Sequence, residues 1–119
     1  MKKPPQLVIE PRFRITYGRQ FAFGPGKATL MEHIEKTGSI AEAAKAMNMS
    51  YMRAWKLVKN LNSDRDAPLV ETARGGRQRG GAKLTKTGGL VLQLYREIEN
   101  QSMTATLSAQ QTLAHLLQS

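Results

Sequence analysis

The residues best suited to chemistry lie in one stretch, Ser50-Tyr51-Met52-Arg53-Ala54-Trp55-Lys56-Leu57-Val58-Lys59-Asn60-Leu61-Asn62. Ala54, Leu57, Val58 and Leu61 recur at i, i+3, i+4 and i+7, the spacing of one buried helical face. At about 100° per residue, Met52, Lys56, Lys59 and Asn60 point the opposite way, with Arg53 beside them. Ser50 stands where an N-cap belongs. An apolar strand, Leu69-Val70-Glu71-Thr72, follows a short loop, and then comes Arg74-Gly75-Gly76-Arg77-Gln78-Arg79-Gly80-Gly81. Glycines allow close backbone approach and positive φ, and the arginines supply charge for a phosphate backbone or a narrow minor groove. A cationic helix face followed by a cationic glycine loop suits a polyanion. A nucleotide-cradling reading of the loop lacks the GxxxxGK[ST] pattern and a following helix. An RGG-like RNA segment and a plain hairpin tip remain open for it.

The chain has 119 residues, enough for one domain with a modest core. Eighteen Lys and Arg against nine Asp and Glu leave a net charge of +9. The excess is concentrated: Ser50 to Gly89 holds nine basic and three acidic residues. Such a segment raises the potential facing nucleic acid or an anionic membrane. The absence of cysteine excludes disulfides and thiolate metal sites. His33 and His115 have no second ligand at metal spacing. Glu32, Glu35 and Glu42 read as solvated or capping carboxylates, and no Ser or Thr has an evident His partner. These features favour a binding protein over an enzyme, with no cofactor or metal. Behind Met1-Lys2-Lys3-Pro4-Pro5 there is no signal-peptide core, and no run approaches transmembrane length. The expected location is the cytoplasm, without a membrane partner.

Three regions position these groups. Residues 1–24 form an arm of β-structure, with Leu7, Ile9, Phe13, Ile15 and Tyr17 in a period of two interrupted by Pro11. Gly18-Arg19-Gln20 turns the chain into Phe21-Ala22-Phe23, giving a hairpin. Residues 25–89 form the core. Gly24-Pro25-Gly26 precedes a helix from about Lys27 to Lys36, with Leu30, Met31 and Ile34 inward and Gly38 as its stop. Ser39-Ile40-Ala41-Glu42 is a capping box, opening a helix with Ile40, Ala43, Ala44 and Met47 on one face. Asn48 suits a left-handed turn before Ser50, which completes a helix-turn-helix. Leu69–Thr72 and Lys83-Leu84-Thr85 flank the glycine loop as a two-stranded wing. Residues 90–119 form a C-terminal helical region whose helix starts near Lys86. Val91, Leu94, Tyr95 and Ile98 make one stripe, and Met103, Leu107, Leu113, Leu116 and Leu117 a weaker, uncharged one. Val91, Leu94, Tyr95, Ile98 and Leu107 are the candidate dimerisation residues. The fold class is mainly α with a small β component: a winged helix-turn-helix with an N-terminal hairpin and a long C-terminal dimerisation helix.

In this arrangement the N-terminal half of the third helix enters a major groove, where Tyr51, Met52, Arg53 and Lys56 reach base edges or phosphates. Tyr51 and Trp55, four residues apart, either stack on bases or brace the helix against its neighbours. Ser39, Ser50, Trp55, Lys59, Arg74, Arg77, Arg79 and Lys83 complete the candidate DNA contacts. A non-specific architectural or RNA-binding protein, and a ligand-gated oxyanion sensor, are the alternatives.

Thr37-Gly38-Ser39-Ile40, Ala43-Ala44, Ser50-Tyr51 with Ala54-Trp55, Leu69-Val70-Glu71, Gly75-Gly76, Gly80-Gly81-Ala82 and Leu84-Thr85 stand in an informative order. Over roughly Gly24 to Glu99 they resemble the N-terminal DNA-binding domain of the ModE family. These are molybdate-responsive transcription regulators related to the winged helix-turn-helix of LysR-type regulators. The resemblance implies a homodimer on double-stranded DNA. It places recognition on Ser50, Tyr51, Met52, Arg53, Trp55 and Lys56, wing contacts on Arg77, Arg79 and Lys83, and dimerisation on the last helix and N-terminal strands. Molybdate as an effector is implied by the resemblance alone. The family's molybdate-binding domains follow the last helix, and nothing in this sequence resembles them.

Overall fold

A computed structural model describes residues 5–63, 66–73 and 81–119. A hairpin of β1 (Ile15–Tyr17) and β2 (Phe21–Phe23) leads into three helices, α1 (Pro25–Thr37), α2 (Ile40–Ala46) and α3 (Tyr51–Leu61). A second hairpin, β3 (Val70–Thr72) and β4 (Ala82–Leu84), precedes α4 (Lys86–Ala105) and α5 (Leu107–Gln118). Both strand pairs are antiparallel.

Local chemistry sets the helix ends. Pro25 opens α1, where its missing N–H costs nothing. Gly38 closes it with φ 69°, returning its N–H to the Ile34 carbonyl. The Ser39 hydroxyl accepts the Glu42 N–H at 3.1 Å, and Ser50 caps α3 in the same way through the Arg53 N–H. The Ser39 N–H faces Thr37 Oγ1 at 3.3 Å, and the Glu42 carboxylate stands 4.0 Å from Lys45. The return half of the expected capping box is thus supplied by Thr37. Asn48 takes the left-handed turn with φ 56°.

The core is small and continuous. Leu30, Met31 and Ile34 of α1, Ile40, Ala43 and Ala44 of α2, and Ala54, Val58 and Leu61 of α3 are buried together. Leu69, Val70 and Ala82 close it beneath the second hairpin, and Leu92 and Tyr95 enter from α4. Leu57, expected inside, is only half-buried at its edge.

The N-terminal arm departs from expectation. Residues 6–14 form no strand, and pairing is limited to Ile15–Phe23, Thr16–Ala22 and Tyr17–Phe21. Gly24 and Pro25 turn the partner strand into α1 directly after Phe23, so nothing remains for Arg14 and earlier residues to pair with. The C-terminal region is two helices rather than one. Thr106 separates them, and the Gln110 amide bonds both Met103 O and Thr106 Oγ1 across the break.

Two joints fix the second hairpin and α4 to the helices. Asn62, the C-cap of α3, accepts the N–H groups of Leu69 (2.9 Å) and Val70 (3.1 Å) and donates to the Val70 carbonyl (2.8 Å). At the start of α4, the Thr85 hydroxyl caps Gly88 N–H and donates to the Pro68 carbonyl. Gly88 lies against the Leu69 backbone so closely that a Cβ there would come within 2.0 Å of the Leu69 carbonyl oxygen. A rigid backbone cannot yield to that overlap. Gly88→Ala is therefore expected to destabilise the fold by about 2–3 kcal/mol in urea unfolding. Asn62→Ala, which orphans two partly buried amides, is expected to cost about 2 kcal/mol by the same measurement.

Candidate nucleic-acid interface

The surface of α3 opposite its buried stripe is the candidate site. Tyr51, Met52, Arg53, Trp55, Lys56 and Lys59 are all exposed, Met52 to 57%. Ser50 presents its backbone at the helix start while its hydroxyl is spent on the cap. The first turn of α3 carries no acidic residue, so its free N–H groups and positive dipole end face outward unopposed. Among the described residues no carboxylate pairs with Arg53, Lys56 or Lys59. Lys59 Nζ instead sits 4.9 Å from the centre of the Trp55 ring, an attraction that holds both on the helix surface. Trp55 remains 37% exposed, so its ring keeps an open edge beside the cationic face.

The second hairpin is joined to the C-terminal end of α3 through Asn62. Its register pairs Val70 with Leu84, Glu71 with Lys83 and Thr72 with Ala82. Ala82 N–H donates to the Gly38 carbonyl, and Ser39 bridges Gly81, so β4 is stitched to the turn between α1 and α2. Ser39, a candidate contact, is thus half-buried at that seam. Lys83 is exposed but lies 3.6 Å from Glu71 across the strands, a solvent-screened pair worth little. Arg74, Arg77 and Arg79 lie outside the described residues.

The candidate dimerisation residues separate onto two faces of α4. Leu94 and Ile98 are exposed, as is Leu107 on α5, and Val91 is half-buried against the core. Tyr95 is instead an interior residue, 1% exposed. Its ring meets Phe23 edge-on at 4.9 Å and its hydroxyl donates to the Phe13 carbonyl at 2.7 Å. Tyr95 therefore anchors the N-terminal arm to α4 and is withdrawn from any dimer surface. Its phenol is held above the usual range by burial and by the nearby Glu99 carboxylate. Beside it, Arg96 binds Glu32 of α1 and, at 2.8 Å, Glu99. Burial opposes the Arg96 charge, but these hydrogen bonds outweigh it and hold its pKa up. Glu32, expected to be solvated, is thus a tie between α1 and α4.

Sequence reasoning missed Asn60 and Asn62 as joints between elements. Asn60 shares the outward face with Arg53 and Lys56, but it is half-buried and donates Nδ2–H to the Gln20 carbonyl at 2.9 Å. Its Oδ1 accepts from Lys27 Nζ, which also donates to the Ala22 carbonyl. The available signal was two asparagines at a helix end, where this residue type leaves the helix to bond other backbone. No three of His, Asp and Glu among the described residues are grouped to hold a metal ion, and no described helix is long and apolar enough to cross a membrane.

A model of bacterial regulatory helix-turn-helix proteins, lysR family, matches residues 27–89. Over 89 residues the chain is 42% identical to the molybdenum transport protein ModE of Azotobacter vinelandii, covering 73% of this chain and 33% of that protein. It is 41% identical over 71 residues to the DNA-binding transcriptional dual regulator ModE of Escherichia coli K12, covering 60% and 27%. It is 40% identical over 76 residues to the molybdenum-pterin-binding protein MopB of Rhodobacter capsulatus, covering 64% and 28%. The chain spans about a third or less of the length of these relatives. Among solved structures, the crystal structure of a CbnR_DBD–DNA complex has the same fold, with a TM-score of 0.57 at 19% identity over 74% of this chain and 95% of that one. The family match takes in all three helices, the second hairpin and the start of α4, and the chain belongs to the lysR family of bacterial regulatory helix-turn-helix proteins.

Proposed function

We propose that this chain is a DNA-binding transcription regulator that reads a two-fold related operator as a homodimer. The observation that carries the reading is the outward face of α3, where Arg53, Lys56 and Lys59 stand exposed, unpaired by any carboxylate among the described residues, on the side opposite a buried stripe of Ala54, Val58 and Leu61. In a major groove, Met52, Arg53 and Lys56 face base edges, Ser50 and Tyr51 the backbone at the helix start, and Lys59 the flanking phosphates. The second hairpin, with Lys83 on its outer side, is the wing. The basic loop Arg74–Gly81 supplies further phosphate contacts.

The dimer reading rests on apolar surface. Leu90, Leu94 and Ile98 of α4 and Leu107, Leu113, Leu116 and Leu117 of α5 are exposed, and no Lys, Arg, Asp or Glu follows Glu99. Ile15 and Tyr17 rim a cleft of about 580 Å³ with Phe21, Leu69 and Val91, and Val91 continues into the Leu94–Ile98 stripe one turn on. A second copy covers this continuous face. The relatives' names make molybdenum-related promoters the first duplexes to try.

Selection from random duplexes at two salt concentrations tests the DNA reading. A preferred, roughly palindromic site is expected, with Arg53→Ala weakening it by about 1–3 kcal/mol and relaxing the sequence at defined positions. Lys56→Ala is expected to flatten the salt dependence by about one phosphate contact. Uniform binding abolished by salt would assign the face to charge alone. For the dimer, Leu94→Glu with Ile98→Glu is expected to give monomers in sedimentation and to lower operator affinity by about tenfold or more.

A further inference from the structure

The reading face and the proposed dimer face meet at one polar joint. Asn60 follows Arg53 and Lys56 along the same line of α3, at i+7 and i+4. Its amide carries the tip of the N-terminal hairpin: Nδ2–H donates to the Gln20 carbonyl at 2.9 Å, and Oδ1 accepts from Lys27 Nζ. Lys27, from the first turn of α1, donates a second bond to the Ala22 carbonyl of β2, with its ammonium 5.6 Å from the centre of the Phe21 ring. Two hairpin carbonyls are thus tied to the recognition helix and to α1 by two side chains.

The hairpin needs such a tie. Three residue pairs form it, and a two-stranded hairpin of this size is marginal in water. Its base is fixed by Phe23 against Tyr95 and by the Tyr95 hydroxyl on the Phe13 carbonyl. Its tip, Gly18 to Gln20, is exposed; beside it Phe21 is half-buried against the core, and the polar joint adds directed bonds from Gln20 and Ala22 to α3 and α1. Ile15 and Tyr17, the latter 83% exposed, stand just before that tip. Burial and the neighbouring Arg14 lower the Lys27 pKa.

We propose that Asn60 and Lys27 form a strut that sets the angle between the N-terminal hairpin and the recognition helix, and through it the half-site spacing that the dimer accepts. The inference rests on the homodimer reading above. In a two-fold dimer, the distance between recognition helices follows from how each one is held relative to the shared interface. A hairpin pinned to α3 transmits that geometry rigidly, whereas one pinned only at its base would pivot. Asn60 and Lys27 are then positioning residues: they touch no DNA and act through the hairpin.

The test uses duplexes carrying the selected half-sites at the preferred spacing and with one or two base pairs added or removed. The wild-type chain is expected to discriminate by about tenfold or more among spacings. Asn60→Ala and Lys27→Met should each reduce this to about threefold or less, with affinity for a single half-site kept within about twofold. Asn60→Asp keeps the acceptor for Lys27 and should recover most of the discrimination. Spacing preference retained in both variants, or single half-site affinity falling in step, overturns the strut. A second readout needs no DNA: amide exchange across residues 15–23 should quicken by about tenfold in Asn60→Ala and Lys27→Met while α4 keeps its protection. Unchanged hairpin protection also overturns it. Should the wild-type chain select no duplex, the regulator reading falls, and the exchange result alone decides whether the strut exists.

Discussion

The structure depends on α3 docking one narrow face while leaving the other bare. Eleven residues make a helix that would be marginal alone in water. Burial of Ala54, Val58 and Leu61 against α1 and α2 holds it, aided by the Ser50 cap at one end and the Asn62 clamp at the other. Because the docked stripe is narrow, the remaining circumference can carry Met52, Arg53, Lys56 and Lys59 without disturbing the core. The neighbours are adapted to this. Ala43 and Ala44 let α2 lie close, so that a helix of seven residues suffices to support α3.

From that dock the other elements are hung by directed contacts added to the apolar area that Phe23, Leu69, Val70, Leu92 and Tyr95 bury. Asn62 receives β3, the Gly38 carbonyl receives β4, and the Leu69 backbone receives Gly88 and with it α4. On the opposite side, Asn60 and Lys27 receive the N-terminal hairpin. These joints fix angles, which apolar contacts of this small size would leave soft. A reader of DNA requires fixed angles, since its helix and wing must meet a groove and a backbone at the same time.

Much of this was legible in the sequence wherever a pattern was periodic or a cap was specific. The 3.6-residue stripes of α1 and α3, Gly38, Ser39, Asn48 and Ser50 each state their structure locally, and the cationic face of α3 follows from the same periodicity. What stayed hidden depends on partners distant in the chain. Tyr95 continues an apolar stripe with Leu94 and Ile98, but adjacent residues of a helix differ by about 100°, and the arm's Phe13 carbonyl and Phe23 ring, far upstream, turn it inward. Leu7 to Phe13 alternate like a strand yet find no partner once Pro25 starts a helix. Asn60 reads as one more exposed polar residue until the hairpin tip, forty positions away, is folded onto it.

The distribution of charge points the same way as the geometry. The described ion pairs all lie off α3: Glu42 with Lys45 on α2, Glu71 with Lys83 on the second hairpin, and Glu32 and Glu99 with Arg96 beside α4. A surface arranged for stability alone would set a carboxylate one turn from Arg53 or Lys56, where opposite charges at i and i+4 stabilise a helix and like charges oppose it. Arg53 at i, Lys56 at i+3 and Lys59 at i+6 forgo that support within two turns. In the proposed complex the self-repulsion they create would be relieved as they neutralise phosphates and release the cations condensed on the DNA, which would make the charge a source of affinity. All three are exposed in the free chain, and among the described residues it is the aromatic ring of Trp55, itself open to solvent, that stands against one of them, Lys59.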